Sequence, residues 1–179
     1  MIRRALLIAS LGGAALLWLA LGTHRPTVPS FGAVRAATRP SDARLMDRNG
    51  EVLQELRTDM TRRRLGWIRL AEISPALQAA VITSEDRRFY RHGGVDGTAL
   101  ATAPLRRITR GPRRGASTIS MQVAARLRAD LRHNGAPRSL GQKWRQMLLA
   151  WAIEARWSKA EILEAYLNLA TFRGEVQGV

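Results

Sequence analysis

Cysteine is absent from this 179-residue chain. That excludes a disulfide scaffold, a thiol nucleophile and a Cys-ligated zinc site. Histidine is scarce, with His24, His92 and His133 too scattered in sequence to suggest a metal cluster. Lysine is scarcer still: of 29 basic residues only Lys143 and Lys159 are Lys and the other 27 are Arg, a skew we assign to coding bias and not to function. Acidic residues number 14, which leaves a formal net charge of +15. A surplus of that size implies an anionic partner. Nucleic acid, anionic lipid headgroups and a phosphorylated substrate all qualify, and composition does not choose among them. Internal repeats and low-complexity tracts are absent too. What is present suits one folded domain: 46% hydrophobic residues is ordinary for a chain that builds a core and too apolar for a disordered tail.

One long apolar run exists. After Met1-Ile2-Arg3-Arg4, residues 5–22 carry no charge. As a helix these 18 residues reach about 27 Å, against a hydrocarbon core of about 30 Å. A cleaved secretory signal is the rival, with small residues at Ala20-Leu21-Gly22. The run is longer than the usual signal core, so a signal-anchor, a transmembrane helix over 1–22, is favoured. Either reading places the chain beyond residue 22 outside the cytoplasm. Residues 23–44, punctuated by Pro26, Pro29, Gly32 and Pro40, read as a linker, and 45–179 as the domain.

Asn49-Gly50 between Leu45-Met46 and Val52-Leu53 predicts a β-hairpin, the one good β signal in the chain. The rest reads as helix. Ser74-Pro75 is an N-cap and first-turn proline, followed by Leu77 and Val81 at helical spacing. Ser117 and Thr118 can cap a helix with the stripe Ile119, Val123, Leu127 and Leu131. Ser139 opens another, with Trp144, Leu148, Trp151 and Ala155 on its apolar side. Ser158 opens the last, with Ile162, Leu163, Tyr166 and Leu167. Residues 99–115, rich in Arg and broken by Pro104, Gly111 and Pro112, are too basic to be core.

Four stretches could carry chemistry. In the first, Glu85-Asp86 ends the helix that starts at Pro75. A helix C-terminus and a like-charged neighbour both disfavour a carboxylate's ionised form, which suits a general base, and Phe89 could desolvate it further. The plainer alternative is a solvated helix end paired with Arg87 and Arg88. In the second, Gly115-Ala116-Ser117-Thr118 leads into a helix whose first N–H groups suit an anionic oxygen, so a phosphate there is a reasonable expectation. Thr118, Gln122 and Arg126 share one side of that helix. The third is Lys143-Trp144-Arg145-Gln146, with Lys143 and Gln146 on one face. The fourth is Lys159 to Asn168. Alone, each is equally an amphipathic helix with a wet face.

Taken in order, the four resemble the motifs of the family 51 glycosyltransferases, the peptidoglycan polymerase domains of class A penicillin-binding proteins and of monofunctional transglycosylases. The family pattern Glu-Asp-x-x-Phe-x-x-His-x-Gly-x-Asp is met by Glu85, Asp86, Phe89, His92, Gly94 and Asp96. Gly-x-Ser-Thr-(apolar)-x-x-Gln is met by Gly115, Ser117, Thr118, Ile119 and Gln122. Lys-x-x-Ile-Leu-x-x-Tyr-Leu-Asn is met by Lys159, Ile162, Leu163, Tyr166, Leu167 and Asn168. Met121 and Gln146 make the chain look most similar to the 1C subgroup. The resemblance covers about residues 45–179. It implies a mostly α, lysozyme-like domain on the outer face of the cytoplasmic membrane, the periplasmic side. It implies lipid II and the growing glycan as substrates, with undecaprenyl diphosphate released, and contacts with membrane lipids and other cell-wall synthesis proteins. By motif position Glu85 and Gln146 would be catalytic. Asp86, Phe89, His92, Ser117, Thr118, Gln122, Arg126, Lys143 and Arg145 would bind substrate. A divalent cation, Mg or Mn, could add to the positive charge that a departing diphosphate needs. The basic stretch 99–115 falls at the family's membrane-contacting segment.

Three departures accompany the match. Gln146 stands where the family's third motif, Lys-x-x-Glu, ends in Glu. Ala125 stands where a basic residue usually follows the motif's Gln by three, and Arg126 comes one later. The chain stops at Gly178-Val179, inside the region resembling the fifth motif, so an incomplete domain is expected. A membrane-anchored inactive scaffold is the alternative function. Nucleic-acid binding rests on charge alone and has no reader motif behind it.

Overall fold

The computed structural model describes residues 26–101, 117–128, 131 and 139–179. Its elements are α1 (Phe31–Ala37), β1 (Asp42–Met46), β2 (Val52–Arg57), β3 (Arg63–Arg64), α2 (Pro75–Glu85), α3 (Ile119–Leu127), α4 (Leu140–Glu154), α5 (Lys159–Leu169), β4 (Thr171–Arg173) and β5 (Val176–Gln177). Helix starts are set by side chains that satisfy orphan N–H groups. The Thr118 hydroxyl accepts from Met121 N, and Ser139 and Ser158 form capping boxes with Gln142 and Glu161. The mostly α architecture with a short hairpin agrees with the sequence expectation.

α5 lies at the centre, with Ile162 to Asn168 all buried. α3 packs against both α4 and α5. Phe89, Ile119, Val123, Ile153, Leu163 and Leu167 fill the space between them. Two polar residues of α5 are buried and hydrogen-bonded. The Glu164 carboxylate accepts from Trp67 Nε1 and Leu70 N, each at 2.7 Å. The Asn168 side chain accepts from Ile68 N and donates to Ile68 O, each at 2.8 Å. Segment 67–70 has no sheet to pair with, and α5 supplies its hydrogen bonds.

The hairpin forms as read, with Gly50 at φ 84 and both Asn49 N and Glu51 N bonded to the Asp47 carboxylate. Its register pairs Asp42 with Arg57 and Arg44 with Glu55 on one face, where Arg44–Glu55 and Arg63–Asp42 ion pairs form. Ala43, Leu45 and Leu56 lie on the other, and Leu45 and Leu56 are exposed.

Several expectations are amended. A second sheet, order β3-β5-β4, escaped the sequence reading because its strands are two or three residues long, too short for any periodicity. The expected linker 23–44 is structured in its described part. Ser30 caps α1, Phe31 stacks edge-on against Trp67 and Trp157, and Val28 and Pro29 carbonyls accept from Arg156 and Trp157. In α4 the buried stripe is Gln146, Met147, Leu149, Ala150 and Ile153, while Trp151 and Ala155 of the expected apolar side are exposed. Tryptophan does not mark the buried face here, since α4 is apolar on most of its circumference. The transmembrane helix over 1–22 lies outside the described residues, and so does most of 99–115. Among the described residues no helix is long and apolar enough to cross a membrane.

Candidate active site

α2 ends at Glu85, and the next residue breaks the helix with φ −157. That change of direction separates two adjacent carboxylates. Glu85 stays exposed, and its Oε2 accepts from Gln122 Nε2 on α3 at 2.8 Å. Asp86 turns inward and is buried. Its two oxygens lie 2.9 and 3.0 Å from His92 Nε2, and its Oδ2 accepts from Ile119 N, the first N–H of α3, at 3.1 Å. The anion at the start of α3 is therefore the protein's own. Asp86 and the Thr118 cap take two N–H groups, those of Ile119 and Met121, at the N-terminus that the sequence offers to a phosphate.

Glu85 and Gln122 have company. Arg126, one turn beyond Gln122, donates to Gln122 O at 3.0 Å, and its guanidinium lies 5.1 Å from the ring centroid of Tyr166 on α5. Burial, seconded by the charge of Glu85, pushes the Tyr166 phenol up, while Arg126 pulls it down. So a carboxylate, an amide, a guanidinium and a phenol from α2, α3 and α5 meet at one place. Sequence reasoning placed Tyr166 in a motif and a core stripe without giving it a role. Its spacing from Glu85 and Arg126 exists only in the fold.

The remaining residues fall in two groups. Phe89 is fully buried, and Lys159 Nζ sits 4.4 Å from its ring centroid, bonded to His92 O and to Glu154 Oε1, each at 2.7 Å. Glu154 also accepts from Ser120 at 2.5 Å, a junction the sequence did not advertise. Thr118 is buried and donates to Gly94 O at 2.5 Å. Asp86, Phe89, His92 and Thr118 thus meet protein groups on the sides the structure describes, and they hold the loop 86–96 against α3. Gln146 is 1% exposed, and its Nε2 donates to Met121 O at 2.6 Å. Ser117 and Lys143 are half-buried, and Arg145, on the first half of α4, is exposed. A divalent cation finds no ready cage: among the described residues no three His, Asp or Glu side chains gather, and the Asp86–His92 pair is engaged with α3.

Residues 49–179 match the family model described as transglycosylase. The chain is 37% identical over 172 residues to the biosynthetic peptidoglycan transglycosylase of Rhodospirillum centenum, covering 95% of this chain and 64% of that one. It is 43% identical over 118 residues to the protein of that name from Pasteurella multocida, covering 63% and 44%. It is also 31% identical over 160 residues to penicillin-binding protein 1A of Neisseria gonorrhoeae, covering 87% and 18%. The chain belongs to the transglycosylase family, the family 51 glycosyltransferases. It spans less than two thirds of the length of these relatives.

Proposed function

We propose that this chain carries peptidoglycan glycosyltransferase chemistry, joining lipid II to a growing glycan with release of undecaprenyl diphosphate. The arrangement of Glu85 carries the reading: an exposed carboxylate held at 2.8 Å by Gln122, with Arg126 and Tyr166 alongside. Glu85 takes the proton from the acceptor sugar hydroxyl. The freed oxygen forms a bond to the anomeric carbon of the donor on the face opposite the diphosphate. The bond from that carbon to the diphosphate oxygen breaks, its electron pair leaves with the phosphate, and configuration inverts. A diphosphate is a good leaving group, so positive charge serves it better than a strong acid. Arg126, Lys143 and Arg145 supply that charge, and Ser117 offers a hydroxyl to the substrate. The relatives' names, biosynthetic peptidoglycan transglycosylase and penicillin-binding protein 1A, support the same reaction. We further place the domain on the outer face of the cytoplasmic membrane, anchored by residues 1–22, where lipid II and membrane lipids are its neighbours.

Incubating the purified full chain with labelled lipid II tests the reading. The parent forms glycan polymer, and Glu85→Gln lowers the rate about 100-fold or more with its unfolding temperature unchanged. A folded parent that makes no polymer would favour the inactive scaffold instead.

A further inference from the structure

We propose that Gln146 is a positioning residue: its neutral amide clamps the Met121 peptide of α3 from the buried side and so fixes where Gln122 holds Glu85. The inference rests on the glycosyltransferase reading for its kinetic consequence only.

Gln146 faces a small apolar cluster of Met121, Met147 and Ala150, bordered by Val95, Leu100 and Trp144. Its Nε2 donates to Met121 O at 2.6 Å, and its Oε1 is buried with no hydrogen-bond partner among the described residues. The partner dictates the side-chain type. A carbonyl oxygen accepts, so whatever stands at 146 must donate. An ionised carboxylate would set acceptor against acceptor in an apolar surround, at a cost far above that of an amide. Met121 and Gln122 share one peptide unit. Gln146 grips that unit from the interior, and Gln122 reaches from its other end to Glu85 at 2.8 Å. Loosening the inner grip lets α3 shift and lengthens the outer contact. An amide at 146 meets the requirement for a donor, where the family motif carries an acid. Here it works as a tether and exchanges no proton.

Among the described residues, the ionisable groups on the packed elements are these. α3 carries Arg126, α5 carries Lys159, Glu161, Glu164 and Tyr166, and α4 itself carries Lys143, Arg145 and Glu154. Asp86 and His92 pair at the start of α3. A carboxyl introduced at 146 therefore meets apolar walls and the Met121 carbonyl first. It binds its proton more tightly folded than unfolded. Its stabilising contribution is present at low pH and is lost as pH rises through the raised folded value.

Two variants of the full chain test this, Gln146→Glu and Gln146→Met, by thermal unfolding at pH 5 and pH 8 and by lipid II polymerisation. We expect Gln146→Glu to unfold several degrees below the parent at pH 8 and close to it at pH 5. Gln146→Met, similar in size and without a donor, keeps most of its stability and loses roughly tenfold in kcat with little change in KM. Equal unfolding temperatures for Gln146→Glu and the parent at both pH values overturn the buried tether. A Gln146→Glu chain that polymerises faster than the parent overturns it too, because an acid at 146 would then be a missing catalyst. An unchanged kcat in Gln146→Met removes the positioning role. The unfolding arm needs no turnover, so a parent without activity sinks the glycosyltransferase reading while the tether is still decided.

Discussion

Glu85 and Asp86 are adjacent in sequence and have opposite surroundings, because the backbone leaves helical geometry between them. The motif marks both as important without saying which faces outward. No periodicity rule operates at a helix end, so the sequence treated Asp86 as a charge pressing on Glu85. In the fold its charge is spent on His92 and on the first N–H of α3. The two positions therefore respond differently to substitution. Asp86→Asn removes an acceptor from a buried pair and costs about 3 kcal/mol of unfolding free energy by denaturant titration. Glu85→Gln leaves stability in place and removes turnover. Were Asp86→Asn to change KM for lipid II with stability unaltered, its assignment to the scaffold would fail.

Helices were legible from capping residues, and their partners were not. Ser74-Pro75, Thr118, Ser139 and Ser158 mark the starts of α2, α3, α4 and α5, because capping chemistry is local, although the Ser74 side chain makes no cap bond; the helical turn at 97–101, opened by Asp96, went unread. The buried face of α4 is not legible from its large aromatics, because Gln146 and Ala150 are buried in a helix that is apolar nearly all round. What sets that face is the close approach of Gly94. With φ 97 it admits no Cβ comfortably, and one built there would lie 3.0 Å from the Ala150 backbone. Its carbonyl meanwhile takes the Thr118 hydroxyl, so loop, α3 and α4 meet at one glycine. Gly94→Ala is expected to cost about 2 kcal/mol or more and lower the melting temperature by roughly 5 °C, read by calorimetry. An alanine variant melting with the parent would mean that α4 can move away.

Across the whole molecule, ion pairs tie the hairpin to the distant sheet. Arg57 at the end of β2 donates to Glu175 in the β4–β5 turn at 2.7 Å. The hydrogen bond from Arg57 holds the Glu175 carboxyl below its ordinary value; desolvation opposes it, and the charges of Arg57 and Arg63 add to the lowering. A depressed folded value means stability that is present above the usual carboxylate range and lost as pH falls through the lowered value. Comparing parent with Glu175→Gln, the melting-temperature difference should favour the parent at pH 7 and close below about pH 4. A difference that persists in acid would assign the tie to packing. The sequence hid this arrangement because nothing local marks two residues as partners across 118 positions.

Such distances govern the order of assembly. Ile68 meets Asn168 across 100 residues, and Val28 meets Arg156 across 128. Parallel β3 pairs with β5, close to the far end of the described chain. During synthesis the early segments therefore emerge without the surfaces they need, and loop closure must come before any reward from pairing. Until α5 leaves the ribosome, Phe31 of α1 and the apolar side chains of segment 67–70 wait in solvent. In that interval a chaperone or a neighbouring nascent chain competes with the native contacts.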